Sequence, residues 1–239
     1  MAALAMLIGG TALSISDQHR LSEDLDFAVH GEKLPAREIN ALIRDLRKEG
    51  CVVEQTLHLA SAQDFEESGL DLDDFQRDYA VDGVKVTFVA PEPEERAILR
   101  EASPFQYEGI SVADESTLFK LKSLLLTRRV TSRDLFDLYH LTHDRGRPLT
   151  QVFETIRHYH PTYPLESVKH RLLMTPIPPD DPGFDALVDV GITVDDMRAW
   201  FERQVTDLEV AEAEHIAAKL ADENRNSDDA EPPAASPRR

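Results

Sequence analysis

In the first part of the chain, the pattern of hydrophobic and polar positions predicts a mixed sheet with helices between its strands. Residues 24–29 alternate polar and apolar side chains, as a half-buried strand does. An amphipathic helix is predicted over 34–50, where apolar side chains recur every three or four residues until a glycine ends the pattern. A second strand is predicted over 51–60. A hairpin is predicted over 77–90, since the dipeptide at 82–83 is Asp-Gly between two apolar runs.

Beyond Pro91 and Pro93, the spacing of apolar positions becomes helical. Two helices are predicted over 115–129 and 132–146, and a long one over 193–221. The last residues have almost no apolar side chains, which is typical of disorder. The fold class predicted is therefore α+β, with a mixed sheet, flanking helices and a helical domain after them. Its parts are an α+β domain over 1–115, a helical domain over 116–222 and a disordered tail, acidic and rich in proline, over 223–239.

The charge of the chain is strongly negative but unevenly distributed. The net charge of −19 argues against nonspecific coating of nucleic acid, because phosphates must be met by a cationic face. Residues 54–115 hold 16 acidic and 4 basic side chains, whereas residues 116–175 hold 5 acidic and 10 basic ones. The basic centre has two interpretations: ordinary solvated faces, or a pocket for a phosphorylated ligand inside an acidic shell.

Several classes of protein are disfavoured by what the sequence lacks. Cys51 is the one cysteine, so no disulfide is predicted within the chain, and the reducing cytoplasm is the predicted location. The apolar run 1–7 is short and has no basic flank, and it predicts neither a signal peptide nor a membrane span. Walker loops, Gly-x-Ser-x-Gly elbows and Cys-x-x-Cys pairs do not occur, which argues against P-loop, hydrolase and thiol-redox chemistry.

The stretch GGTALSISDQHRLSEDLDF, residues 9–27, concentrates side chains with chemical roles. In a strand, Asp24 and Asp26 share one face, and two adjacent carboxylates favour a cation between them, with Mg²⁺ preferring such oxygen ligands. Two glycines followed by Thr11 at a helix start offer backbone N–H groups to a phosphate. Each half also has an ordinary interpretation, as a tight turn or a solvated strand face. Their order along the chain favours a site for a metal–nucleotide complex.

Three blocks of the chain, in order, resemble one known family. They are the stretch 9–27, VKVTFV at 84–89 and LFKLKSLLLTRRVTSRDLFDLYHL at 118–141. Over residues 4–145 the chain resembles the AbiEii/AbiGii family of nucleotidyltransferase-fold proteins, the toxin halves of bacterial abortive-infection and toxin–antitoxin pairs. The resemblance implies transfer of a nucleoside monophosphate from an NTP, with Mg²⁺ or Mn²⁺, to an acceptor. In some relatives this acceptor is the 3′ end of tRNA, and a cognate antitoxin protein is a further implied partner.

The resemblance also leads to roles for individual residues. Catalytic roles are predicted for Asp24, Asp26, Lys122 and Asp134, and the two aspartates at 24 and 26 are the predicted metal ligands. Nucleotide binding is predicted for Gly9, Gly10, Thr11, Arg20, Lys85 and Asp137.

Some of these side chains have a second interpretation. Arg20 either binds phosphate or holds its loop to an aspartate. Lys122 lies among leucines, where it either extends to the surface or contacts a phosphate or a carboxylate. Asp134 and Asp137 share one face of a helix, and a salt bridge from either to the lysine would join the helices to the site. Alternatively, Asp134 or Ser132 caps that helix.

One position departs from the family pattern. Thr87 stands where the family commonly has an aspartate, which helps to hold the metals and activate the attacking hydroxyl. A hydroxyl carries no charge, so either another acid, such as Asp134, takes this role or turnover is weakened. Two functions are therefore predicted as alternatives: an active nucleotidyltransferase, and a module of the same fold that binds nucleotide or a protein partner without turnover.

Overall fold

A seven-stranded mixed sheet forms the centre of the computed structural model, which describes residues 4–56, 70–178, 181, 183 and 190–228. The strands are β1 (Ala5–Ile8), β2 (Leu25–Val29), β3 (Val53–Thr56), β4 (Gln76–Val81), β5 (Val84–Val89), β6 (Phe105–Tyr107) and β7 (Ile110–Val112). They lie in the order β3-β4-β5-β2-β1-β7-β6. Strand β2 is parallel to β5 and β1 is parallel to β7, while the other neighbours are antiparallel. The predicted mixed sheet is confirmed.

Eight α-helices belong to the described part of the chain. They are α1 (Gly9–Asp17), α2 (Ala36–Lys48), α3 (Pro93–Arg100), α4 (Glu115–Leu125), α5 (Ser132–Tyr139), α6 (Leu149–Tyr159), α7 (Leu165–Met174) and α8 (Val194–Asp228). Helix α5 continues into a π-helical turn over His140–Asp144. Of the helices described here, none combines the length and the apolar character that crossing a membrane requires.

One continuous core joins the sheet to the helices. Leu7 and Phe27 of the sheet, Leu124 of α4 and Phe201 of α8 all belong to a single cluster of buried apolar side chains. Helix α1 follows β1 directly and packs against α4 and α5. Because a packed core resists deformation, the helices hold a fixed position over the face of the sheet on which the candidate site lies.

The predicted elements are present with shifted ends. The helix predicted over 34–50 is α2, and the hairpin predicted over 77–90 is the pair β4 and β5. Of the strand predicted over 51–60, residues 53–56 form β3, and residues 57–60 lie outside the described residues. Helix α8 extends to Asp228, past the predicted end of the helical domain at residue 222. The rest of the predicted tail, 229–239, lies outside the described residues.

Helix α3 and the hairpin of β6 and β7 were missed by the sequence pattern. Helix α3 begins at Pro93, a favourable first helical residue, and the backbone N–H of Glu92 donates to the Glu95 side chain at 3.0 Å. The hairpin of β6 and β7 has three residues in each strand, and the side chains of β6 are exposed. Such short strands leave too few positions for an alternating pattern to be recognised.

Candidate functional site

A cavity of about 400 Å³ lies between the sheet and the helices α4 and α5. The first sequence block contributes to its wall Gly9, Gly10, Arg20, Asp24 and Asp26. The later blocks contribute Lys85, Lys122 and Asp134. The structure therefore brings most of the predicted site residues together around one space, although they are far apart in the sequence. Thr11 and Asp137 are placed differently, as described below.

Asp24 and Asp26 present two carboxylates to the cavity from the start of β2. Alternate positions of a strand point to the same face, so Asp24 and Asp26 share one face. Phe27, the next residue along the strand, points to the opposite face and is buried in the core. Burial raises the pKa of Asp26 above its ordinary value; the charge of Lys85 opposes this rise, and the charge of Asp24 adds to it. A pair of carboxylates that disfavours its own ionisation is a place where a cation binds favourably.

The turn between β1 and α1 lets the backbone approach this carboxylate pair closely. Gly9 has a φ of +76°, a conformation that side chains other than glycine rarely adopt, and a Cβ there would lie 2.8 Å from Asp26 Oδ2. A Cβ at Gly10 would collide with the guanidinium of Arg20. Both positions therefore need glycine for close packing against charged groups of the cavity wall.

Thr11 holds the loop that precedes β2. Its hydroxyl lies within hydrogen-bond distance of the Asp24 carbonyl oxygen and of the Ser22 hydroxyl. This position, in the first turn of α1, ties the backbone of one predicted metal ligand to the helix start. The Thr11 side chain therefore contacts other residues of the protein, and it is not among the residues that line the cavity.

Asp137 is fully buried behind the cavity wall and binds three basic side chains. Its Oδ1 accepts from Arg20 Nε at 2.6 Å and lies 2.8 Å from His19 Nε2, and its Oδ2 accepts from Arg20 Nη2 at 2.9 Å. Lys122 Nζ lies 2.7 Å from the same Oδ2. Burial alone would raise the pKa of Asp137, but the charge of Lys122 and the bonds from His19 and Arg20 hold it far below its ordinary range. Of the two interpretations of Arg20, the structure shows the contact with an aspartate.

Lys122 joins the two helices that cover the cavity. Its Nζ lies 2.9 Å from Asp134 Oδ1, in addition to its contact with Asp137, so the predicted salt bridge is present to both aspartates. Although burial lowers the pKa of Lys122, the charges of Asp137 and Asp134 raise it above its ordinary value. Of the two interpretations, the structure shows the salt bridge and not the cap by Ser132 or Asp134, since Thr131 is the N-cap and its Oγ1 accepts from Asp134 N at 3.1 Å. Ser132 already lies inside the first turn.

Arginines at the rim of the cavity add positive charge that the sequence analysis did not single out. Arg129 keeps 64% of its side-chain surface exposed, and its Nε lies 3.3 Å from Asp134 Oδ2. Arg133 Nη1 lies 3.8 Å from Asp24 Oδ2. Both side chains line the cavity. The signal for them was the basic stretch 116–175, part of whose charge the fold gathers at this opening.

The donor set fits a divalent ion that arrives with a nucleotide. Within the residues that the structure describes, His, Cys, Asp and Glu side chains form no group of three or more that could enclose a metal. For a metal ion in the cavity, Asp24 and Asp26 would therefore supply carboxylate oxygens from two residues, and its other ligands would come from elsewhere. Mg²⁺ is commonly held by one or two carboxylates together with substrate phosphates and water. A side chain at Gly9 would crowd Asp26, since its Cβ would lie 2.8 Å from Asp26 Oδ2.

Comparison with known proteins identifies similar sequences and structures. The family model for nucleotidyl transferase AbiEii toxins of type IV toxin–antitoxin systems matches residues 2–187. JHP933 from Helicobacter pylori is 19% identical over 91% of this chain and 90% of that chain, with a TM-score of 0.44. MenT4, a nucleotidyltransferase toxin from Mycobacterium tuberculosis, is 17% identical over 75% of this chain and 63% of that chain, with a TM-score of 0.37.

A viral protein is also similar, at lower coverage. The polyadenylate synthase of Megavirus is 11% identical over 59% of this chain and 28% of that chain, with a TM-score of 0.40. No curated protein sequence matches the chain. These three structures share at most 19% of their residues with the chain, whereas the family model matches most of it.

Proposed function

The chain belongs to the AbiEii family of nucleotidyl transferase toxins, and we propose that it transfers a nucleoside monophosphate from an NTP to an acceptor hydroxyl. The observation that carries this proposal is the convergence of the carboxylates of Asp24 and Asp26 with the turn at Gly9 and Gly10 in one cavity. The arrangement offers a place for a divalent ion and, beside it, a place for the phosphates that accompany the ion.

The negative charge of the triphosphate is met from three directions in this proposal. Asp24 and Asp26 would hold Mg²⁺ or Mn²⁺, and the ion when bound supplies positive charge at the phosphates. The first-turn N–H groups of α1 would donate to a phosphate, since the residue before the helix provides no side-chain cap for them. Lys85 and Arg129 at the rim would offset the charge that develops on the leaving pyrophosphate.

Lys122 and Asp134 contribute to the proposal by shaping the wall of the cavity. Lys122 contacts Asp134 and Asp137 at the same time, so neither buried carboxylate lacks a basic partner. Arg20 is likewise engaged with Asp137, and the Nη2 atom that donates to this carboxylate also lies beside Gly10. These side chains would position the phosphate-binding turn against the carboxylate pair.

Incubation with radiolabelled NTPs, Mg²⁺ and total tRNA tests the proposal. We expect label to pass to RNA with the wild-type protein and to be lost in Asp26→Asn, which keeps the size of the side chain but removes its charge. The matched control is Asp45→Asn, because Asp45 is an exposed residue of α2 paired with Lys48. Transfer that persists in Asp26→Asn, or is lost equally in the control, would contradict the role of the carboxylate pair.

A nucleotide-binding module without turnover is the second candidate function. The observation in its favour is Thr87, an uncharged side chain at the position where the family commonly has a carboxylate. Such a module would be stabilised by NTP and Mg²⁺, since any ligand that binds only the folded state raises its apparent stability. A rise in melting temperature with nucleotide, together with no transfer of label to any RNA or protein, would favour this second function.

The biological role proposed is that of a toxin that acts in the cytoplasm, where NTPs and RNA are available. The acceptor we propose is RNA, with the 3′ end of tRNA as the first one to test, and a cognate antitoxin is the proposed protein partner. Expression in a bacterial host gives the test: growth should stop with the wild-type gene and continue with Asp26→Asn. A neighbouring gene whose product restores growth would identify the antitoxin.

A further inference from the structure

Asp26, Thr87 and Asp78 lie in one row across three adjacent strands. The parallel pairing of β2 with β5 places Asp26 opposite Thr87, and the antiparallel pairing of β5 with β4 places Thr87 opposite Asp78. Residues that are paired across neighbouring strands point to the same face of a sheet. On the other face, Phe27 and Phe88 stack in the core with ring centroids 5.6 Å apart. The row therefore runs along the face on which the cavity lies.

Thr87 connects the cavity to a buried carboxylate. Thr87 lines the cavity, and its hydroxyl donates to Asp78 Oδ1 at 2.7 Å. Gln76, another residue of the cavity wall, donates from Nε2 to Asp78 Oδ2 at 2.9 Å. Asp78 itself is only 5% exposed. A carboxylate is thus present one strand away from the position at which the family commonly carries one, and a hydroxyl stands between it and the cavity.

We propose that Thr87 and Asp78 together accept the proton of the acceptor hydroxyl, an inference that rests on the proposed function. In the step, the acceptor oxygen forms a bond to the α-phosphorus as the bond from that phosphorus to the leaving pyrophosphate breaks. The acceptor O–H bond breaks while a bond from this hydrogen to Thr87 Oγ1 forms. The original Thr87 hydrogen passes to Asp78 Oδ1, so Thr87 ends as a neutral hydroxyl and Asp78 as a neutral carboxylic acid.

The chemistry of the two groups explains why both are needed. A hydroxyl is too weak a base to keep a proton at neutral pH, whereas a carboxylate is a common proton acceptor in catalysis. Thr87 would touch the acceptor and is the catalytic residue of the pair. Asp78 acts through Thr87 and is a positioning residue: before the step its carboxylate accepts the hydrogen bond of the Thr87 hydroxyl, which turns the oxygen lone pairs toward the cavity, and during the step it takes that hydrogen.

Four variants of the full chain test the inference in the labelled-NTP transfer assay: Thr87→Val, Thr87→Ser, Asp78→Asn and the double variant of Thr87→Val with Asp78→Asn. We expect Thr87→Val to lower kcat by about 10²–10⁴-fold, the usual contribution of a proton acceptor, with KM for NTP unchanged. Thr87→Ser keeps the hydroxyl and should restore most of kcat. The double variant should be no slower than the slower single variant, because both changes interrupt one transfer path.

Nucleotide binding, measured by the rise in melting temperature with a nonhydrolysable NTP and Mg²⁺, should be the same in Thr87→Val and in the wild type. The inference is overturned if Thr87→Val turns over at the wild-type rate, if its KM rises in proportion to its loss of kcat/KM, or if Thr87→Ser is as slow as Thr87→Val. It is also overturned if the two single effects multiply in the double variant.

The outcomes separate this inference from the proposed function. A wild-type protein that transfers label while Thr87→Val transfers it equally well supports the proposed function and rejects the proton acceptor. A wild-type protein that binds nucleotide without transferring label to RNA or protein rejects both. If Asp78→Asn lowers the melting temperature strongly, Thr87→Val and Thr87→Ser still decide the question, because they leave the Asp78 carboxylate in place.

Discussion

Replacing Asp137 with asparagine should destabilise the protein strongly, because this carboxylate balances three basic groups inside the core. The side chain is fully buried and contacts Arg20 through both oxygens, at 2.6 and 2.9 Å. It also contacts His19 at 2.8 Å and Lys122 at 2.7 Å. Asparagine has nearly the same size but no charge, and its amide nitrogen would face donors. The variant would therefore leave buried cations without their shared anion.

The expected loss is large on the scale of a single substitution. Removing one partner of a buried ion pair costs about 3–5 kcal/mol of unfolding free energy, even though replacing all partners with apolar groups often costs nothing. For a protein of this size, 1 kcal/mol corresponds to about 2–4 °C in melting temperature. We therefore expect Asp137→Asn to melt roughly 6–20 °C below the wild type.

The difference between wild type and Asp137→Asn should depend on pH in a defined direction. After burial, which opposes ionisation, the charge of Lys122 and the bonds from His19 and Arg20 lower the pKa of Asp137 in the folded state. A carboxyl with a lowered folded-state pKa contributes its full stability above its unfolded pKa of about 3.9 and loses it as pH falls further. The difference should be constant between about pH 5 and 8 and shrink below about pH 4.

Urea denaturation followed by circular dichroism measures this prediction, with Asp45→Asn as the control. Asp45 makes an exposed ion pair with Lys48, and the same chemical change there should leave the unfolding midpoint where it is in the wild type. An unfolding curve for Asp137→Asn that superimposes on that of the control would refute the reasoning. That result would mean that water or other acceptors form hydrogen bonds with His19, Arg20 and Lys122 in place of the carboxylate.

Three further predictions concern the cavity. Asp26→Asn should raise the melting temperature of the ligand-free protein, because burial raises the pKa of this carboxyl and its ionised form therefore costs stability at neutral pH. Thermal shift assays should also show that NTP and Mg²⁺ no longer stabilise this variant. A melting temperature below that of the wild type would contradict the prediction. Gly9→Ala should lower the melting temperature more than Gly109→Ala does in the same assay. Both glycines have positive φ, but only Gly9 has a carboxylate oxygen 2.8 Å from the added Cβ. Equal losses of melting temperature would show that the backbone conformation alone determines the cost of the substitution. Arg129→Ala should weaken NTP binding by about tenfold, the effect of losing a charge-assisted contact, in a titration at low salt, whereas an unchanged affinity would place the triphosphate away from this rim.

Local patterns in the sequence were sufficient to predict part of the site. The alternation over 24–29 predicted that Asp24 and Asp26 share a face, and both carboxylates do line one cavity. The Asp-Gly turn at 82–83 predicted the hairpin of β4 and β5. With a two-residue turn, the register of that hairpin follows by counting outward, so the pairing of Thr87 with Asp78 was available from the sequence and was missed.

Other features depend on contacts between distant parts of the chain. The position of Asp137 as a shared anion required knowledge that its helix packs against the loop of His19 and Arg20, more than a hundred residues earlier. Periodicity predicts which face of α5 is buried, but it does not predict which basic groups meet that face. The same holds for the parallel pairing of Asp26 with Thr87, which no turn specifies.

The shared contact at Asp137 has a consequence for synthesis of the protein. A ribosome produces the glycine turn and the carboxylate pair early, but Arg20 and His19 lack their anion until translation has passed residue 137 and α5 has emerged. A nascent chain that ends before residue 137 contains every residue proposed to hold the metal, but it lacks the ion pairs that Asp137 makes with the loop before β2. We therefore expect the proposed transfer to begin only after more than half of the molecule has been made.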